Sequence, residues 1–183
     1  KYPDGHRGGD VPLWFYSKKN IKKLIRFSLN ELKKHGFRNI TTFRAGGWMA
    51  NNKVFDALIE EGFKTESSPI PYQKIQNLYP NSVLAKYTKK LWNNIKVTST
   101  PYMYKNKLLM MPNNASLADY VDSEEFMEIV KKNLSLHKGK IHIVYGFHTE
   151  TAVEYLDRVE KSLIKLYKFA KDHNLKIIPS TFK

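Results

Sequence analysis

Thr42-Phe43-Arg44-Ala45-Gly46-Gly47-Trp48 decides how the rest of this sequence is read. The segment from Arg38 to Phe43 is rich in Thr and Ile and reads as a short strand. It runs directly into a Gly-Gly turn, where backbone can come close to a ligand. Upstream, Ser17 suits an N-cap, Ile21, Leu24, Ile25, Ser28 and Leu32 share one helical face, and Gly36 ends the helix. Downstream, Asn51 or Asn52 caps a second helix with Val54, Phe55, Leu58 and Ile59 inward, and Gly62 stops it. Phe63 to Glu66 then reads as a second strand, closed by Ser67-Ser68-Pro69. Helix, strand, helix, strand over 17–66 is the alternation of an α/β fold with a parallel sheet.

The alternation returns late in the chain. Asp122-x-x-Glu125 and Thr151-x-x-Glu154 are capping-box patterns. The first opens a helix with Phe126, Ile129 and Val130 inward. The second opens a long helix through Leu156, Val159, Leu163, Leu166 and Ala170. Ile141 to Phe147 reads as a buried strand and Leu175 to Ile178 as a last one. Between these blocks, 69–120 carries five prolines, many aromatics and a possible hairpin of Val97–Tyr104 with Lys107–Met111 around Lys105-Asn106. It reads as a loop-rich insertion within a single domain spanning 1–183, and long loops of α/β domains often carry the binding surface.

With no cysteine, a disulfide scaffold and a thiolate metal site are both excluded. No apolar run approaches the ~20 residues of a spanning helix, so no transmembrane segment is expected. The formal charge of +14 favours an acidic partner, an anionic glycan included. The lysines are spread along the chain without a nucleic-acid module signature, which makes nucleic acid an unlikely partner and suits a solvated basic surface.

Active sites of parallel α/β folds gather at the C-terminal ends of strands. Two such ends stand out: Phe43 to Trp48, and Tyr145-Gly146-Phe147-His148-Thr149-Glu150. There Arg44 can orient a carboxylate and His148 can carry a proton near neutral pH. The strand reading sends both toward one rim. An arginine in a surface salt bridge and a histidine in a helix-capping turn are the ordinary alternatives.

Phe43-Arg44-Ala45-Gly46-Gly47, followed across one helix by Gly62-Phe63-Lys64-Thr65-Glu66-Ser67-Ser68, resembles the polysaccharide deacetylase (NodB-like) family. The resemblance covers about 17–68 and 121–183 and implies a distorted (β/α) barrel. It implies metal-assisted removal of an N-acetyl or similar acyl group from a polysaccharide or glycan precursor, in the cell envelope or a glycan-assembly pathway. A divalent metal, usually zinc, is then held by an Asp and two His and lowers the pKa of a bound water. By position His148 matches the general acid and Arg44 the residue that orients the Asp base, with Gly46, Gly47 and Trp48 beside the substrate. The family's N-terminal Asp-Asp pair and His-x-His or His-x-x-x-His have no counterpart; His6 and Asp10 are weak stand-ins for metal ligands. The chain is therefore expected to begin after those motifs, with the barrel incomplete at its N-terminus, or else to be a pseudo-enzyme. Two further readings stay open: a non-catalytic glycan-binding domain using Trp48, Tyr72, Tyr102 and Tyr104 as stacking platforms, and a basic nucleic-acid-binding domain.

Overall fold

A computed structural model describes residues 11–180. His6 and Asp10 lie outside these residues. The described chain is mixed α/β, with six helices and a four-stranded mixed sheet that does not close on itself. Of the described residues, 11–69 with 101–111 form one compact unit and 70–100 with 112–180 the other.

In the first unit, Ser17 caps α1 (Lys18–Lys34) by accepting from Asn20 N, and Gly36 takes φ +87 just past its end. Only Ile21 and Ile25 of α1 are buried; Leu24 and Leu32 stay substantially exposed, so the helix seats a narrower stripe than its sequence pattern suggests. Strand β1 is Thr42–Phe43. Asn51 caps α2 (Asn52–Glu60), which buries Val54, Phe55, Ala57 and Leu58, and Gly62 follows at φ +84. Lys18 and Lys22 of α1 pair with Glu60, and Arg26 with Glu61, along the α1–α2 contact.

Strand β2 (Thr65–Glu66) lies parallel to β1 with Phe43 opposite Glu66. The hairpin forms as β3 (Tyr102–Tyr104) and β4 (Leu108–Met110), shorter than the sequence suggests. Lys105 and Asn106 both take positive φ at its turn, the conformation that type I′ turns require. β4 also pairs parallel with β2, giving the order β1-β2-β4-β3. Part of the expected insertion is therefore sheet.

In the second unit the same insertion supplies two helices, α3 (Tyr72–Leu78) and α4 (Val83–Trp92), the latter capped by Ser82. Asp122 caps α5 (Ser123–Leu136) through Glu124 N and Glu125 N, while the Glu125 carboxylate pairs with Lys74 instead of closing the capping box. Phe126, Ile129 and Val130 face inward as expected and form a core with Ala115, Val121 and Met127. Ile143, Tyr145, Leu166 and Phe169 pack against it.

Ile141 to Phe147 is not a ladder strand. It makes one parallel bridge, Leu117 to Gly146, supported by Ala115 N to Val144 O (3.1 Å) and Ala118 N to Gly146 O (2.8 Å). Its partner segment turns at Ser116 (φ +57), which interrupts the pairing, and residues 141–146 themselves are only half-buried. Asn114 completes the alignment, accepting from Val144 N (2.9 Å) and donating to His142 O (2.7 Å). Leu175 to Ile178 forms no strand, and Leu175 and Ile178 are exposed. α6 (Ala152–Asp172) buries Ala170 and Ser162, whereas Leu156 and Leu163, expected inward, face outward.

Candidate functional site

Arg44 follows β1 directly. Its Nε donates to Ser67 O (3.0 Å) and its NH2 to Ser67 Oγ (3.1 Å). One residue on, Ala45 N donates to Ser68 Oγ (2.9 Å). Ser67 Oγ in turn donates to Met111 O (3.0 Å), just past β4. The Arg-Ala pair and the Ser-Ser pair are thus stitched together across parallel strand ends. Here the guanidinium fork grips a backbone carbonyl and a hydroxyl. Desolvation lowers the Arg44 pKa from its ordinary value, opposed by the nearby Glu66 charge.

Gly46 and Gly47 begin a single 3-10 turn, Gly46–Trp48, and Gly47 sits at φ +57. Trp48 also takes positive φ and is only 5% exposed, so its ring is a core element of this unit and does not present a stacking face.

Glu66 was not singled out from the sequence. It ends β2, is 0% exposed, and accepts from Ser68 N through Oε1 (2.9 Å), while Oε2 meets no partner. Burial pushes its carboxyl up to about 7, against the opposing effects of the Ser68 hydrogen bonds and the Arg44 charge. The same burial, with the Glu66 charge second, raises the Tyr102 phenol to about 12. A strand-end glutamate directly before the Ser67-Ser68 pair is the only signal that the sequence offers for it.

In the second unit His148 sits at the end of the 141–147 segment, and Asp119 at the end of the segment bridged to it. The Leu117–Gly146 pairing brings the two ends side by side. His148 Nδ1 lies 3.1 Å from Asp119 Oδ2, and Thr151 Oγ1 donates to that same oxygen at 2.9 Å. Arg158 NH1 donates to Ala118 O (3.1 Å) and fixes the backbone next to Asp119. The Asp119 side chain is 9% exposed against 42% for His148, and Asp119 Oδ1 is buried without a partner. Burial raises the Asp119 pKa, but the hydrogen bonds from His148 and Thr151 outweigh it and hold the carboxyl below its ordinary value.

An ionised Asp119 accepts from Nδ1–H. This fixes the tautomer and leaves Nε2, which has no protein partner among the described residues, able to exchange a proton. His148 is also the N-cap residue of the 3-10 turn Thr149–Thr151, whose Thr151 N donates to its carbonyl (3.2 Å), while its side chain makes no capping bond. Nor does Thr151 cap α6 with its side chain; its hydroxyl serves Asp119 instead. The structure therefore joins Arg44 to Ser67 within one unit and His148 to Asp119 within the other.

Among the described residues no three His, Asp or Glu side chains converge in a way that could hold a metal ion. The donor set that zinc requires is not found in them. Among the described residues no helix is long and apolar enough to cross a membrane. Comparison with family models, with curated proteins and with solved structures finds no match.

Proposed function

We propose that the protein is a hydrolase of polysaccharide-deacetylase type, with a distorted (β/α) barrel, that removes an N-acetyl or similar acyl group from a glycan or glycan precursor. The observation that carries this reading is the His148–Asp119 pair, a solvent-reachable imidazole whose inner nitrogen is held by a buried carboxylate. Such a histidine delivers a proton from Nε2 as imidazolium. In acyl-amide hydrolysis, as the resemblance implies it, an Asp base takes a proton from water as the water oxygen bonds to the acyl carbon, the C–N bond breaks, and the leaving nitrogen takes the proton from His148. Asp119 stabilises the imidazolium and keeps its ring oriented. The motif resemblance supplies the substrate class and the dependence on a divalent metal. The Arg44–Ser67 and Ala45–Ser68 bonds give the two halves of that motif a shared physical role.

The test is acetate release from N-acetylated oligosaccharides by the intact chain, with added zinc and after chelation. His148→Ala should lower kcat by roughly 10²–10⁴-fold with a smaller change in KM, and Asp119→Asn should fall short of that loss while shifting the pH profile. No release by the intact chain in either condition, or equal release by His148→Ala, refutes the reading. Oligosaccharide binding without release from any form would favour the glycan-binding alternative.

A further inference from the structure

We infer that Tyr79, Tyr120 and Tyr155 form a sugar-binding wall beside the His148–Asp119 pair, with the face of the Tyr79 ring stacking on a sugar ring of the glycan. The stacking role rests on the glycan reading above and falls to rings that the sequence did not single out. Of those that the sequence offered, Trp48 is buried, and Tyr104 is tied to Phe55 and Asp56 within the first unit.

Asp119 and Tyr120 lie in a tight turn, closed by Tyr120 N and Val121 N, which both donate to Leu117 O at 2.9 Å. One face of α6 covers that turn. Thr151, just before α6, holds Asp119, and Arg158 NH1 holds Ala118 O. Further along, Ser162 Oγ lies 3.4 Å from the Tyr145 hydroxyl, which donates to Val121 O (3.1 Å). Tyr155 stands four residues after Thr151 and three before Arg158, on this same helical face. The Arg158 guanidinium lies 4.9 Å from the centre of the Tyr155 ring, a cation–π contact that steadies it. The Tyr79 and Tyr120 rings meet edge to face, 6.1 Å apart. Burial pushes the Tyr120 phenol up, and the nearby Tyr79, Asp119 and Tyr155 charges push it further, so the four side chains share one neighbourhood.

Tyr79 is the ring best placed to meet a ligand. It follows the last turn of α3, where its N–H donates to Ile75 O (2.9 Å) and its carbonyl accepts from Ser82 N (3.0 Å) and Ser82 Oγ (2.8 Å). The backbone is thus fixed, yet the residue stays 48% exposed, with Tyr120 propping the ring from the side. A ring held rigidly at the surface loses little freedom when a ligand covers it. Its flat apolar face matches the C–H face of a sugar, and the phenol at its tip matches the sugar hydroxyls.

Titration of the intact chain with a tetramer of N-acetylglucosamine, read by tyrosine fluorescence and by the NMR signals of the tyrosine rings, tests this. Saturable binding is expected, equal in the native chain and in His148→Ala, with the Tyr79 ring signals moving most. Tyr79→Ala should weaken binding about tenfold with an unchanged far-UV spectrum, whereas Tyr79→Phe should stay within about twofold of native, because the ring face does the stacking. Tyr155→Leu should weaken it several-fold. Native-like binding by Tyr79→Ala overturns the proposal, as does a Tyr79→Phe chain as weak as Tyr79→Ala, or no binding by the native chain up to about 20 mM. Acetate release with an unchanged KM in Tyr79→Ala also overturns it and leaves the hydrolase reading standing. Binding that depends on Tyr79, with no acetate release, supports the wall and refutes hydrolysis alone.

Discussion

Glu66→Gln should remove a pH-dependent loss of stability that the native chain suffers between about pH 4.5 and 7. Burial without a partner for Oε2 raises the Glu66 carboxyl from 4.5 to about 7. The fold therefore favours the protonated form. Its stabilising contribution is complete below the unfolded value near 4.5 and is lost as pH rises through about 7. At about 1.4 kcal/mol per tenfold change in proton concentration, the interval amounts to about 3 kcal/mol. Glutamine resembles the protonated acid in shape and keeps the acceptor for Ser68 N. Its amide would face the same unpartnered position as Oε2, which costs on the order of 1–3 kcal/mol at every pH. The absolute offset between the two proteins therefore matters less than its slope. Urea unfolding at pH 5, 6, 7 and 8 gives the difference in free energy at each pH, and histidines common to both proteins cancel. The variant should gain on the native chain by about 3 kcal/mol from pH 5 to 8, a midpoint shift of about 1 M urea or more. A constant difference across that range would show that Glu66 is ionised within the fold, and the burial argument would fail.

Four other substitutions probe the site's supports. Gly47→Ala should cost about 1–2 kcal/mol in thermal or urea unfolding, because Gly47 holds φ +57, whereas Gly46→Ala should lie within about 0.5 kcal/mol, since an added Cβ meets nothing within 4 Å. Asn114→Ala should cost about 2–4 kcal/mol, leaving Val144 N and His142 O without their partner, and hydrogen exchange should report faster opening at Val144. Thr151→Val removes one of the hydrogen bonds that lower the Asp119 pKa. Asp119 lends stability above its unfolded pKa that disappears as pH falls through the lower folded value, so acid unfolding of this variant should begin at higher pH than that of the native chain.

Local chemistry was readable in the sequence, and chemistry that depends on distant partners was not. Ser17, Asn51 and Asp122 cap their helices because a side-chain oxygen needs only the amides two or three residues on, and Gly36 and Gly62 end theirs through their own φ. Strand status depends on a neighbour. Ile141 to Phe147 has the composition of a strand but finds one interrupted partner, and Leu175 to Ile178 finds none among the described residues. The helices α3 and α4 hid in a proline-rich stretch. They are 7 and 10 residues long, so packing rather than propensity sustains them. His148 and Arg44 could be picked out by their place after a strand-like run. Asp119, 29 residues before His148, became legible only when the Leu117–Gly146 bridge laid the two ends together.

The Arg44–Ser67 and Ala45–Ser68 bonds also bear on any attempt to rebuild this loop elsewhere. The Arg-Ala-Gly-Gly segment carried into another α/β host without Ser67 and Ser68 would bring a guanidinium and a backbone amide stripped of their acceptors. The serine segment carried alone would bring a carbonyl and two hydroxyls stripped of their donors. Segments 43–48 and 62–68 thus form one transplantable part made of two pieces of chain, and a chimera that splits them should fold less well than one that exchanges both.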